Sequence, residues 1–262
     1  MLSDLKEIQK HISTSEYCTH QGKNCAYHFH TEEDFLNSEQ FIQFINKNGF
    51  AIVQLNNKPL RSLLRKLVQY FGPSMKDSGV YKKYIAKVQA ANNGKFYINS
   101  DKPQPLHTDE GYTNIFPHYA SLYCVQQASQ GGISTIVHVQ TLLDALYDKF
   151  ADKVSELFQP DALSIQTVTG TIKKQVLFKL KNGLVGMSYS PILLNWKSTN
   201  LISDMIIFIN QFIHDPQNQF RISLQKDQLL IMDNCRILHG RTGFNMQDER
   251  LLLRFWNQSI AI

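Results

Sequence analysis

The sequence predicts a mainly β chain: a barrel or jelly roll with helices packed on one outer face. Three observations carry this expectation. Strand-like runs crowd the chain from about residue 80 onward, helix-like runs come early and then only as two insertions, and the strands do not alternate with helices as they would in a parallel α/β sheet.

Asn37 or Ser38 can cap a helix that runs to about Asn48, with Phe41, Ile42, Phe44 and Ile45 on its apolar stripe. Gly49 is a suitable stop, and residues 50–55 then read as a strand. Pro59 opens a second amphipathic helix to Tyr70, ended by Phe71-Gly72-Pro73. Strands are expected at 84–91, 96–100, 119–126 and 133–139, the last two joined by a turn holding Gly131-Gly132. A helix is expected over 142–158, then strands at 163–169, 175–181 and 184–189, with Asn182-Gly183 as a hairpin signal. A buried-type helix over 201–214 and strands at 220–224, 228–233 and 250–259 complete the set.

The chain has 262 residues and reads as one domain, with residues 1–36 as a peripheral N-terminal extension. Its net charge of +5 comes from scattered Lys and Arg, so the footprint of a nucleic-acid binder is weak. There is no apolar run long enough to span a membrane, and the N-terminus lacks a signal-peptide pattern. Four Cys in this length do not suggest a disulfide scaffold. These features give the expectation of a cytoplasmic protein with a small-molecule partner. Cys18, His20, Cys25, His28 and His30 crowd the extension, but their spacing lacks the pairing usual in zinc sites.

The chemistry centres on His107-Thr108-Asp109. On a strand, residues two apart share a face, so an imidazole and a carboxylate would aim at one point. His239, in Asn234-Cys235-Arg236-Ile237-Leu238-His239-Gly240-Arg241, offers a third ligand. Two His and one carboxylate form the facial triad of non-haem Fe(II) oxygenases. Arg250, Leu252 and Arg254 also share one strand face. Such a face suits solvent, or a barrel interior in which each guanidinium holds an anion.

Leu106-His107-Thr108-Asp109, Gly131-Gly132-Ile133-Ser134, Asp233 to Arg241 and the Arg250/Arg254 pair together resemble the taurine dioxygenase / γ-butyrobetaine hydroxylase family. The resemblance runs from about residue 35 to the C-terminus. It implies a double-stranded β-helix and an Fe(II)- and 2-oxoglutarate-dependent dioxygenase consuming O2. His107, Asp109 and His239 would hold Fe(II). Arg250 and Ser134 would bind the distal carboxylate of 2-oxoglutarate, with Thr135 a poorer candidate by register. Arg254 would meet an anionic substrate group or the other carboxylate of the co-substrate. Asn99, just ahead of the metal strand, is a candidate substrate contact. The expected reaction is hydroxylation, or a related oxidation, of a small amino acid, betaine, sulfonate or natural-product intermediate. The alternative is a non-catalytic barrel that binds a metabolite or a metal.

Overall fold

The computed structural model describes residues 29–30, 39–55, 60–76, 83–92, 94, 96–113, 115–167, 170–190, 196–197 and 199–261. The Cys18/His20/Cys25/His28/His30 cluster, the caps at Asn37 and Ser38, and Pro59 lie outside them, apart from the backbone at His30. The strands of the first half are β1 (Phe29–His30), β2 (Phe50–Gln54), β3 (Ser74–Met75), β4 (Ile85–Val88), β5 (Gln104–His107), β6 (Ile115–Gln126) and β7 (Ser134–His138). There follow β8 (Leu163–Thr167), β9 (Gly170–Lys174), β10 (Leu177–Lys179), β11 (Val185–Met187) and β12 (Trp196–Lys197). The last are β13 (Phe220–Ile222), β14 (Gln228–Asp233), β15 (Ile237–Arg241) and β16 (Leu251–Ala261). The α-helices are α1 (Glu39–Asn48), α2 (Leu60–Phe71), α3 (Val139–Phe150) and α4 (Asn200–His214).

A larger sheet runs β1-β2-β14-β6-β16-β3, with β4 also on β16, and a smaller one runs β13-β7-β15-β5. Residues of both sheets meet in one apolar interior: Ile52, Leu230, Met232, Leu252 and Trp256 from the larger, Ile136, Ile222 and Ile237 from the smaller. The opposite faces are covered too. Ala51, Val53, Leu229, Ile231 and Phe255 pack under α1 and α2. Val137 and Leu238 pack under α3 and α4. Helices therefore flank both sheets, not one outer face as the sequence suggested. This explains why β2 and β14 read as unbroken apolar runs: strands buried on both faces lose the polar alternation.

Gly49 sits where α1 turns into β2. Its φ of +80° suits a residue without a side chain, and an added Cβ would lie 2.9 Å from Cδ1 of Ile237. Three expectations are corrected. The helix expected over 142–158 is an α-helix only to Phe150. Ala151 takes a φ of 50°, and 3-10 turns continue to Phe158. Residues 96–100 form a 3-10 turn at Tyr97–Asn99 instead of a strand. There the Asn99 side-chain oxygen captures the N–H of Phe96 at 2.9 Å, so a local bond replaces a ladder bond. The strand expected over 175–181 is shortened to β10, and β9, which was not expected, precedes it in a different small sheet. Among the described residues no helix is long and apolar enough to cross a membrane.

Candidate active site

The smaller sheet brings His107 and His239 together. They are paired residues of antiparallel β5 and β15, and their rings lie 4.5 Å apart. Asp109 arrives differently. β5 ends at His107, and the chain turns at Asp109 and Glu110, the latter at a φ of 57°. Strand alternation therefore does not place the carboxylate. Asn234 does: its side-chain oxygen accepts the Asp109 N–H at 2.7 Å, and its amide donates to the carbonyls of Asp109 at 3.0 Å and Pro117 at 2.8 Å. Asn234 is itself held in the β14–β15 turn. The Asp233 carboxylate accepts Cys235 N–H at 3.0 Å and Arg236 Nε–H at 2.7 Å within it. One turn thus fixes the start of the His239 strand and the loop that carries Asp109.

The result is a compact donor set. His107 Nε2 is 3.5 Å from Asp109 Oδ1, and His239 Nε2 is 3.6 Å from Asp109 Oδ2. The three ligand atoms lie within 4.8 Å of one another, all on buried residues. His107 Nδ1 lies 2.9 Å from the Pro105 carbonyl. A carbonyl only accepts, so Nδ1 carries the proton and Nε2 presents its lone pair. Burial pushes the His239 imidazole down to about 3, against the pull of Asp109, so it is neutral at physiological pH. Burial alone would raise the Asp109 pKa, but the charge of Arg254, joined in the acid range by that of protonated His239 and by a hydrogen bond from His107, holds the carboxyl well below the usual carboxylate range. A neutral imidazole and an ionised carboxylate are the states a metal requires.

β16 and the residue ahead of it supply the opposite wall. Leu252 and Arg254 of the strand and Arg250 just before it all line the cavity shared with Asp109, Ser134 and His239, so all three lie on the interior side despite a register shift at Leu251/Leu252. Trp256 continues the face and donates its indole N–H to Asp109 Oδ2 at 2.7 Å. Arg254 donates to Asp109 Oδ1 at 3.2 Å, its guanidinium 4.2 Å from the Trp256 ring centroid. Arg250 is 2% exposed. It donates from Nε to Gln127 at 3.1 Å and from Nη2 to the Gly132 carbonyl at 3.3 Å, while its buried Nη1 has no partner. Gly132 is what lets it lie there. At a φ of +62°, a Cβ on Gly132 would come within 2.7 Å of Arg250 Nε.

This chain matches the taurine catabolism dioxygenase TauD, TfdA family over residues 15–181 and 197–256. It belongs to that family. Among curated proteins it is 25% identical to 3-((Z)-2-isocyanoethenyl)-1H-indole synthase of Fischerella ambigua (strain UTEX 1903) over 185 residues, covering 62% of this chain and 66% of that protein. Among solved structures, asparagine oxygenase in complex with Fe(II), 2S,3S-3-hydroxyasparagine and succinate superposes with a TM-score of 0.68 at 14% identity, covering 83% of this chain and 78% of that one. PvcB, an Fe, α-ketoglutarate-dependent oxygenase from an isonitrile synthetic pathway, known from Pseudomonas aeruginosa, gives a TM-score of 0.63 at 15% identity over 85% and 81% of the two chains. The fold is therefore the double-stranded β-helix, and the chain is a dioxygenase of the Fe(II)- and 2-oxoglutarate-dependent class.

The residues of this dioxygenase fit that cofactor set. The triad offers two nitrogens and one oxygen from one side, as Fe(II) sites of this class do. The orphaned Nη1 of Arg250, buried on a cavity wall, fits a carboxylate. Two sequence candidates stand apart. Thr135 pairs with Gly240 on the alternate face of β7 and does not line the cavity, whereas Ser134, paired with Arg241, does. Asn99 is spent on Phe96 N–H, and its neighbour Ile98 lines the cavity instead. Sequence reasoning assigned no role to Asn234 or Trp256. Trp256 was within reach, because it extends the every-second-residue pattern of Arg250, Leu252 and Arg254.

Proposed function

We propose that this dioxygenase oxidises a C–H bond of a small amino-acid-like carboxylate, with Fe(II) held by His107, Asp109 and His239. One observation carries the reading: a buried facial triad with an ionised carboxylate opens onto the same cavity as a buried arginine with an unpaired N–H. Arg250 binds the distal carboxylate of 2-oxoglutarate, with the Ser134 hydroxyl beside it. Bound together, Fe(II), 2-oxoglutarate and O2 supply the oxidising power, and the net reaction releases succinate and CO2.

The protein's own part is positioning and charge. Trp256 and Asn234 hold the Asp109 carboxylate and backbone at one angle to the two imidazoles. Val88, Ile98, Leu122 and Leu252 give the cavity apolar walls, which limits water. Arg241, Arg250 and Arg254 place three cationic side chains around it against the single carboxylate Asp109. Two negative charges on the co-substrate leave Arg254 able to turn from Asp109 to a substrate carboxylate. That balance favours an anionic or zwitterionic substrate over a neutral one. An asparagine oxygenase among the similar structures supports an amino acid. An isonitrile-pathway oxygenase and an isocyanoethenyl-indole synthase among the similar proteins add isonitriles to the small molecules worth testing.

The test is succinate formation from 2-oxoglutarate by Fe(II)-loaded protein over a panel of free amino acids and their isonitrile derivatives. Turnover lost in His107→Ala and Asp109→Ala supports the reading. Iron-loaded wild-type protein that neither binds nor decarboxylates 2-oxoglutarate overturns it.

A further inference from the structure

Gln104 stands in front of the lone pair that His107 offers to a metal. Its side-chain Nε2 is 3.1 Å from His107 Nε2, and the residue lines the cavity beside Asp109 and His239. With the Nδ1 proton committed to Pro105, His107 has one lone pair, and the Gln104 amide donates to it. The opposite amide orientation, with oxygen toward a protonated Nε2, would occupy the same place.

The contact is built into the strand. Residues three apart on a regular strand face opposite ways. Here His239 pairs with His107 and Arg241 with Gln104, so three steps along β5 match two along β15. That irregularity is a bulge. It turns Gln104 back onto the face of His107, the re-aiming that bulges perform beside active sites.

An imidazole nitrogen binds a metal at about 2.1 Å along its lone pair. An amide N–H donated to that nitrogen from 3.1 Å competes with a metal for the same lone pair. We propose that Gln104 is a positioning residue that competes with the metal: it caps His107 in the metal-free protein, and the incoming metal displaces its amide into the cavity. This rests on the triad being the metal site. Its consequence is an affinity set below what the triad alone would give, with His107 kept in the ligating tautomer and orientation before the metal arrives.

The experiment is Mn(II) binding to the metal-free full chain, by calorimetry or by the electron paramagnetic resonance of free Mn(II). Wild type is compared with Gln104→Met, which fills the space without a donor, and Gln104→Asn, whose amide is too short to reach. Both variants are expected to bind about threefold to tenfold more tightly, the weight of one hydrogen bond removed from the competing state. A residue that merely supported the site would give weaker binding when replaced. In 15N-labelled wild type, the Gln104 side-chain amide resonances are expected to move on saturation with diamagnetic Zn(II). Equal or weaker Mn(II) binding in both folded variants, or an unmoved Gln104 amide, overturns the proposal. If wild type binds no Mn(II), the triad reading falls with it; if wild type binds and the variants match it, only the role of Gln104 falls.

Discussion

The indole N–H of Trp256 meets the Asp109 carboxylate at 2.7 Å, joining the last strand of the larger sheet to a ligand on the turn that leaves the smaller one. The bond fixes the plane of a carboxylate that must present one oxygen to the metal. Trp256→Phe keeps the apolar packing and deletes the donor. Groups that orient a metal ligand are typically worth 10- to 100-fold in metal affinity. The expected outcome is Mn(II) or Fe(II) binding weaker by about tenfold or more, with a nearly unchanged melting temperature. Unchanged affinity would show that Arg254 alone orients the carboxylate.

Asn234 has a different signature, because it serves the fold and the site together. It is fully buried and its side chain makes three hydrogen bonds, two to the backbone of Asp109 and one to Pro117. Asn234→Ala leaves one N–H and two carbonyls without this partner inside the protein. We expect a stability loss of about 3 kcal/mol in urea denaturation. Metal binding should weaken as well, since the Asp109 loop is no longer tied to the β14–β15 turn. A loss confined to metal binding would mean that the loop is held elsewhere.

These two residues mark what the sequence could and could not reveal. His107, Asp109 and His239 were legible as a candidate donor set from their residue types, whereas Arg250 was singled out only by the family resemblance, since its strand pattern suited solvent as well as an interior. The sandwich interior was legible through β2, β14 and β16, whose patterns follow burial. The convergence of Asp109 was expected for the wrong reason: it leaves the strand, and Asn234, 125 positions along the chain, brings it in. No local pattern encodes such a bond. The turn at Tyr97–Asn99 was missed because the side chain of Asn99 outcompetes the strand propensity of Phe96, Tyr97 and Ile98. The second helical layer was missed because α3 and α4 read as insertions until the outer face of the smaller sheet is seen to be apolar.

The anion site gives a prediction with two independent variants. Arg250→Met removes the buried guanidinium. Gly132→Ala leaves it in place, yet puts a Cβ within 2.7 Å of its Nε at a strained φ of +62°. Both should weaken 2-oxoglutarate binding while leaving Mn(II) affinity within about twofold. A charge-assisted hydrogen bond of about 1.5–3 kcal/mol corresponds to roughly 10- to 100-fold in the dissociation constant. Arg250→Met is expected at the upper end and Gly132→Ala lower, since the arginine can shift partway. Titration of 2-oxoglutarate into Mn(II)-loaded protein measures both. Normal 2-oxoglutarate affinity in Arg250→Met would assign the carboxylate to Arg241 or Arg254 instead.

His138 makes stability depend on pH in a defined window. It ends β7 and caps α3, its Nδ1 accepting the Gln140 N–H at 3.1 Å. Burial, aided by the charge of Arg236 and opposed by Asp233, pushes its pKa from 6.5 down to about 3. Between those values the unfolded chain binds the proton and the folded chain does not, so stability rises with pH across the window. The contribution is fully present above pH 6.5 and is lost progressively as pH falls toward about 3. When complete it is on the order of 5 kcal/mol. In the metal-free protein His239, also lowered to about 3, adds a loss of the same sign. His138→Asn keeps a side-chain acceptor for Gln140 and cannot titrate. Urea denaturation of the metal-free protein between pH 7 and pH 4 should therefore give a shallower decline for His138→Asn than for wild type. Parallel declines would mean that His138 gains access to water before the fold opens.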